Sequence, residues 1–170
     1  MKNILLVATL VFTLTTSYSQ EGFKIGVQGG IPFNDFNDEV GVVLGANAGY
    51  MWALNEVIDL GIMAGYTYGF PEKFGTEDPL TDLPSVQFVP LALSARIWPS
   101  NSFSFGVDVG QALGLNEGNE GGLYYRPQVG FLMGAFTELN ISYSAIVLEE
   151  KQFNTLTLGI LFTIPSKRSF

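Results

Sequence analysis

Apolar and polar residues alternate along most of this chain. Within 42–54 every second residue is apolar or aromatic, and the residues between them include Gly45 and Asn47. The same period of two recurs within 58–70 and 155–164. Side chains of a β-strand point alternately to its two faces, so a period of two sustained over about ten residues indicates long strands. The pattern predicts an all-β chain.

Eight strands account for the alternation. A tilted strand needs about 9–11 residues to cross a bilayer, and most of the predicted strands reach that length. After residue 20 no apolar run is long enough for a membrane-spanning helix, which needs about 20 residues. The predicted strands are 23–31, 42–54, 57–70, 86–98, 102–115, 123–136, 139–148 and 155–164.

The connections between these strands alternate in length. Short turns are predicted at 55–56, 99–101 and 137–138. Outer-membrane barrels have tight periplasmic turns and longer external loops, and an even strand number leaves both termini on the periplasmic side. The prediction is therefore an eight-stranded antiparallel up-and-down transmembrane β-barrel. The longer connections are predicted at 32–41, 71–85, 116–122 and 149–154.

The composition of the two strand faces decides which face points outward. Twelve of the 20 glycines lie on the face opposite the large apolar side chains. Small residues suit the crowded interior of a narrow barrel, so the apolar face is expected to contact lipid. Trp98 on the inward phase, and Gln111 and Pro127 on the outward phase, depart from this pattern. The alternative is a soluble lipocalin-like barrel that holds an apolar ligand against an inward apolar face.

The first 20 residues have the three parts of a secretory signal peptide. Lys2 supplies a positive charge, residues 4–14 form a short apolar core, and residues 15–20 are mainly small and polar. We expect cleavage near Ser19 or Gln20, which makes 21–170 the barrel domain. From this signal and the predicted barrel together, we expect export to the outer membrane, where lipid surrounds the barrel.

Composition excludes several kinds of chemistry. The net charge of −8 argues against nucleic acid as a partner. The chain contains neither cysteine nor histidine, which removes thiolate catalysis and every device that relies on an imidazole base. We therefore expect no enzymatic activity, no catalytic residue, no cofactor and no metal site.

Five charged residues fall on the inward phase of the predicted strands. Charges inside a narrow barrel must be paired, because burying an unpaired charge is very costly. Eight strands leave just enough width for side chains. The favoured interpretation is a salt-bridged structural plug, and the alternative is a narrow transport or proton pathway. The five residues are Lys24, Asp59, Arg96, Asp108 and Arg126.

The predicted external loops are acidic, with Lys73 and Lys151 as their cations. Hard cations prefer carboxylate oxygens, but no calcium-loop spacing is present, so a hydrated rim is the favoured interpretation. Segment 71–85, which contains three prolines, is the best candidate surface for an external partner of unknown identity. The acidic residues are Asp35, Asp38, Glu39, Glu72, Glu77, Asp78, Asp82, Glu117, Glu120, Glu149 and Glu150.

On this pattern the chain resembles the small eight-stranded outer-membrane barrels typified by OmpX and the transmembrane domain of OmpA. Segment 155–164 looks like the closing strand that the barrel-insertion machinery recognises in that family, although Pro165 separates it from the terminal Phe170. The resemblance implies a monomeric barrel with a structural or surface-binding role and no open pore. It implies no particular ligand or partner for the external loops.

Overall fold

The computed structural model describes residues 21–71, 85–116 and 119–166. The predicted signal peptide, most of the loop predicted at 71–85, and Phe170 lie outside the described residues. None of the described residues belongs to a helix long and apolar enough to cross a membrane.

Eight antiparallel strands form one closed barrel in chain order, as the alternation predicts. Each strand pairs with its neighbours in sequence, and β1 pairs with β8 to close the sheet. A single turn of 3-10 helix at Asn34–Phe36 follows the first strand. The strands are β1 Gly22–Phe33, β2 Val40–Ala53, β3 Ile58–Pro71, β4 Val86–Ile97, β5 Phe103–Gly114, β6 Gly122–Leu132, β7 Thr137–Val147 and β8 Gln152–Pro165.

One predicted turn is misplaced. The prediction puts it at 137–138, whereas β6 ends at Leu132 and β7 begins at Thr137. Gly134 has a φ of 99°, which suits glycine, and the amide of Met133 donates to the carbonyl of Thr137 at 2.7 Å to close the turn. The turn therefore forms at 133–136, and Glu138 lies on a strand.

The loops predicted at 32–41 and 149–154 are shorter in the structure. β1 extends to Phe33, β2 begins at Val40, and β8 begins at Gln152. Pairing of Pro32 and Phe33 with β8 explains the extension of β1 beyond the alternating segment. We call the end of the barrel that carries residues 133–136 the turn end, and the opposite end, which carries the 3-10 helix, the loop end.

Large apolar side chains cover the outside of the barrel. Phe23, Ile25 and Val27 of β1 are exposed, and Leu93 of β4 is 71% exposed. We call the outward-facing apolar side chains of the eight strands the lipid belt. A continuous apolar surface of this extent is a membrane-contact surface. This orientation contradicts the soluble lipocalin-like alternative, because the large apolar face does not line the interior.

The three exceptions to the pattern behave differently. Gln111 and Pro127 are exposed within the lipid belt, as their phase predicts. Trp98 follows the last residue of β4 and is buried in the interior. Its indole nitrogen donates to Asp59 Oδ2 at 2.7 Å, so an inward tryptophan has a polar partner there.

The lipid belt makes a depth-dependent prediction. Leu93 lies near the middle of β4, whereas Leu54 lies in the turn after β2. Arginine on the lipid face costs about 2–4 kcal/mol at the bilayer midplane and about 0–1 kcal/mol near the interface. Leu93→Arg should therefore reduce the free energy of unfolding in lipid vesicles by about that larger amount, and Leu54→Arg should have little effect. Equal losses for the two variants would contradict the lipid belt.

Candidate functional site in the barrel interior and at its loop end

All five inward charges named from the sequence lie inside the barrel. Each of these side chains is almost completely buried. The structure adds a sixth buried charge, Glu138, so the described part of the interior holds three cations and three anions. The formal charge of this interior is therefore zero, which lowers the cost of placing charges away from water.

The middle of the interior is centred on Asp108. Asp108 on β5 lies directly opposite Arg126 on β6, and Arg126 Nη2 lies 2.7 Å from Asp108 Oδ2. Arg126 Nε donates to the same oxygen at 2.9 Å, and Ser94 Oγ donates to Oδ1 at 2.6 Å. Arg126 Nη1 also donates to Gln28 Oε1 at 2.7 Å. Hydrogen bonds therefore connect β1, β4, β5 and β6 across the lumen.

A second group of charges lies nearer the turn end. Arg96 on β4 forms an ion pair with Glu138 on β7. Arg96 Nη2 donates to Gln128 Oε1 at 3.1 Å, and Gln128 Nε2 donates to Asp108 Oδ2 at 3.2 Å. Gln128 therefore joins the two groups into one network.

Lys24 and Asp59 complete the group at the turn end. Lys24 Nζ donates to Thr163 Oγ1 at 3.0 Å, and Asp59 accepts from the indole of Trp98. Arg96, Glu138 and Asp59 all act electrostatically on Lys24. The four charges at the turn end thus form a compact balanced cluster.

Sequence reasoning missed Glu138 because it placed the turn at 137–138. The inward polar residues of β7 alternate as Ser144, Ser142 and Asn140, and Glu138 is the next residue in this alternation. That alternation is the sequence signal that indicates its inward position. Glu138 forms an ion pair with Arg96, so it is the anion that balances this guanidinium group.

Three buried polar atoms close to this cluster make no hydrogen bond among the described residues. They are Arg96 Nε, Ser104 Oγ and Glu138 Oε2. A methyl group added at Gly130 would collide with both Ser104 Oγ and the Glu138 carboxylate. Gly130 therefore provides the space into which these side chains converge.

An apolar cluster fills the interior at the loop end. The 3-10 helix carries Phe36 inward, where its ring packs edge-on against Phe153 at 5.2 Å between centroids. Phe88 contacts the same ring at 5.3 Å. This cluster lies between the charged network and the loop end. Its buried residues are Phe36, Val40, Val43, Phe88, Ala112, Tyr124, Ile146 and Phe153.

Three contacts hold the 3-10 helix over the barrel. Lys151 Nζ lies 2.7 Å from Glu39 Oε1 and 5.4 Å from the centre of the Phe36 ring. Asp35 Oδ2 accepts from the amide of Gln152 at 2.9 Å. We call these contacts the latch. The hydrogen bond and charge of Glu39 raise the pKa of Lys151 above its usual value.

A cavity of about 480 Å³ opens at the loop end beside the latch. Its lining combines buried or half-buried apolar side chains with carboxylates at the mouth. The described residues contain no group of three or more acidic side chains arranged to hold a metal ion. Glu72, Lys73, Glu77, Asp78, Asp82 and Glu117 of the predicted acidic loops lie outside the described residues.

Comparison with solved structures supports the fold. A designed transmembrane β-barrel aligns with a TM-score of 0.55 and 11% identity over 87% of this chain and 99% of its own. A crystal structure of Ail, the attachment invasion locus protein of Yersinia pestis, aligns with a TM-score of 0.56 and 14% identity over 86% of this chain and 99% of Ail. The chain has the fold of small outer-membrane barrels.

A second structure of this outer-membrane protein, Ail in a phospholipid bilayer nanodisc, gives a TM-score of 0.54 at 15% identity over 85% of this chain and all of Ail. No protein-family model and no curated protein matches the sequence. The predicted fold class and the resemblance to small eight-stranded outer-membrane barrels are therefore confirmed at the level of fold.

The Arg96–Glu138 ion pair can be tested with a double-mutant cycle. Removing one partner of a buried pair typically costs about 3–5 kcal/mol, because the other charge is left uncompensated. Glu138→Leu and Arg96→Met should each show a loss of that order in the free energy of unfolding, and the double variant should recover much of it. Glu56→Gln, in an exposed turn, is the control. Additive losses in the double variant would show that the two side chains do not act as a pair.

The latch should respond to alkaline pH. A raised pKa means that Lys151 stays charged through its usual value of 10.5 in the folded barrel, and loses its proton only at higher pH. The stabilisation is therefore present below pH 10.5 and is lost as the pH rises through the higher folded value. The protection factor of the Gln152 amide, which is the ratio of its intrinsic to its observed hydrogen-exchange rate, should fall in that range. Lys151→Met should show a low protection factor at every pH, and a wild-type protection factor that stays constant across this range would argue against the latch.

Proposed function

We propose that this protein is a non-enzymatic barrel of the outer membrane that presents a surface at its loop end and has a sealed interior. The single observation that carries the proposal is the filling of the lumen. A neutral, hydrogen-bonded charge network occupies its middle and turn end, and an apolar cluster occupies its loop end. A barrel filled in this way is suited to anchoring and display.

The apolar cluster also separates this proposal from a transport or proton pathway. Proton transfer needs a chain of hydrogen-bonding groups or water, and the rings of Phe36, Phe88 and Phe153 bring no such group to the loop end of the lumen. The buried network is therefore assigned a structural role. The Arg96–Glu138 ion pair connects β4 with β7 across the lumen, and the Asp108–Arg126 pair connects the neighbouring strands β5 and β6.

The chemistry of the chain supports a role without catalysis. Histidine and cysteine are missing from the sequence, and the buried carboxylates of Asp59, Asp108 and Glu138 are engaged by indole or guanidinium groups. A carboxylate held in this way is a poor general base. A substrate that enters from the loop end would also have to pass the apolar cluster to reach these carboxylates.

A surface role is supported by the fold and by the loop end. Ail, the attachment invasion locus protein of Yersinia pestis, has this fold, and the loop end here combines a 3-10 helix held by the latch with an open cavity. We further propose lipid as the main partner, a monomeric state, and insertion by the barrel-assembly machinery through β8. Closure of the barrel by β1 and β8 within one chain supports the monomer.

A sealed lumen predicts that the protein does not conduct ions. The mature protein in planar bilayers should give no steady ion conductance, since no water-filled path crosses the apolar cluster. Replacing Phe88 and Phe153 together with alanine should admit water from the loop end and raise proton leak in vesicles. The matched control is Phe103→Ala with Phe131→Ala, which removes two rings from the lipid belt. Steady conductance by the wild-type protein would overturn the proposal.

A further inference from the structure

The cavity at the loop end has an apolar floor. Val86 and Leu148 are the half-buried apolar side chains of this floor, and they pack against the apolar cluster, which contains the buried side chains of Phe36 and Phe88. Its volume of about 480 Å³ falls within the range of about 300–1,000 Å³ that is usual for small-molecule sites. An apolar floor favours a ligand with an apolar body.

Hydrogen bonds stabilise the wall of the cavity where β4 begins and β5 ends. The side-chain oxygen of Asn116 accepts from the amide of Gln87 at 2.7 Å, and its nitrogen donates to the carbonyl of Ser85 at 2.7 Å. Asn119 Oδ1 accepts from the amide of Gly121 at 3.1 Å. The latch holds the opposite wall. A cavity with fixed walls loses little entropy when it takes up a ligand.

The mouth of the cavity is negatively charged. Among the described residues that line it are the four carboxylates of Glu39, Glu120, Glu149 and Glu150 and one ammonium group, that of Lys151. Lys151 forms its ion pair with Glu39. Four negative charges against one positive charge leave a net charge of −3 at the mouth. This surplus favours a positively charged ligand.

The chain's own lysine shows how a cation is held at this place. The Lys151 ammonium lies between the Glu39 carboxylate and the face of the Phe36 ring. A carboxylate together with an aromatic face is a favourable setting for an organic cation. Lys151 occupies this setting itself, and the exposed carboxylates of Glu149 and Glu150 beside it are the groups that an external cation would meet.

We propose that this cavity binds a small organic cation with an apolar body. The apolar part lies against Val86 and Leu148, and the positive charge lies at the mouth near Glu149 and Glu150. The inference rests on the proposed surface-binding role and deepens it by naming a class of ligand. Charge complementarity and the apolar floor together distinguish this ligand from a simple metal cation or an anion.

Benzyltrimethylammonium is a suitable probe, because it joins an aromatic ring to a permanent positive charge. The isotopically labelled mature protein would be titrated in nanodiscs of zwitterionic lipid and followed by amide chemical shifts. Saturable shifts are expected at Leu148, Gly121 and Asn116. Tetramethylammonium, which lacks the ring, and benzenesulfonate, which carries the opposite charge, should each bind at least about fivefold more weakly.

A charge-removing variant tests the mouth. Glu149→Gln combined with Glu150→Gln keeps the shape of both exposed side chains and should weaken probe binding about fivefold at low ionic strength, with a smaller loss in high salt. Glu56→Gln removes one carboxylate in a turn at the other end of the barrel and should leave binding unchanged. Unaltered strand amide shifts in each variant would verify that the barrel remains folded.

Three results would overturn the inference. They are no saturable shift at the loop end, equal binding of benzenesulfonate, or unchanged affinity in the Glu149→Gln/Glu150→Gln variant. The failure of the proposed sealed barrel is a separate observation, since it would be seen as conductance by the unliganded protein. A barrel that conducts no ions and does not bind the probe would therefore overturn only the proposed ligand class.

Discussion

Pairing of β1 with β8 is the contact on which the rest of this structure depends. The two strands pair along their length from Gly22 with Pro165 to Phe33 with Asn154, and this pairing removes both free edges of the sheet. In lipid no water is available for unpaired backbone amides and carbonyls, so only a closed sheet can expose an apolar outer face. Closure therefore permits the lipid belt, and it also encloses an interior that must be filled.

The interior is filled by two different means. Near the turn end and in the middle, the network balances Lys24, Arg96 and Arg126 against three carboxylates. Toward the loop end, aromatic and aliphatic side chains exclude water. Charges in a lumen must be matched, because an uncompensated buried charge is strongly destabilising. The two means are complementary, because the apolar cluster shields the ion pairs from external water, and the neutral network needs no counter-ion from outside.

The alternation of residues was sufficient to predict the fold, because a period of two is a direct consequence of strand geometry. It also placed five of the six buried charges on the inward face. Glu138 was missed for a local reason, since Gly134 adopts a positive φ and moves the turn to 133–136. A shift of the turn is difficult to predict from a segment such as 131–139, where apolar residues and glycine allow more than one register.

Other features depend on contacts between distant parts of the chain. The latch joins Glu39 to Lys151 and Asp35 to Gln152, and no local pattern indicates which loops meet at the end of a barrel. The inward position of Phe36 depends on the 3-10 helix, which fills the space above Phe153. The cavity forms from the ends of several strands. Sequence patterning could predict acidic external loops, but it could not predict their arrangement around an apolar floor.

The most direct test of the account is the electrophoretic mobility of the mature protein extracted from washed outer membranes, compared with and without boiling in detergent. A closed barrel in which every strand pairs with both neighbours resists detergent, so the unboiled protein should migrate differently from the boiled protein. Recovery in the soluble fraction, with one mobility under both conditions, would contradict a closed barrel whose apolar face contacts lipid.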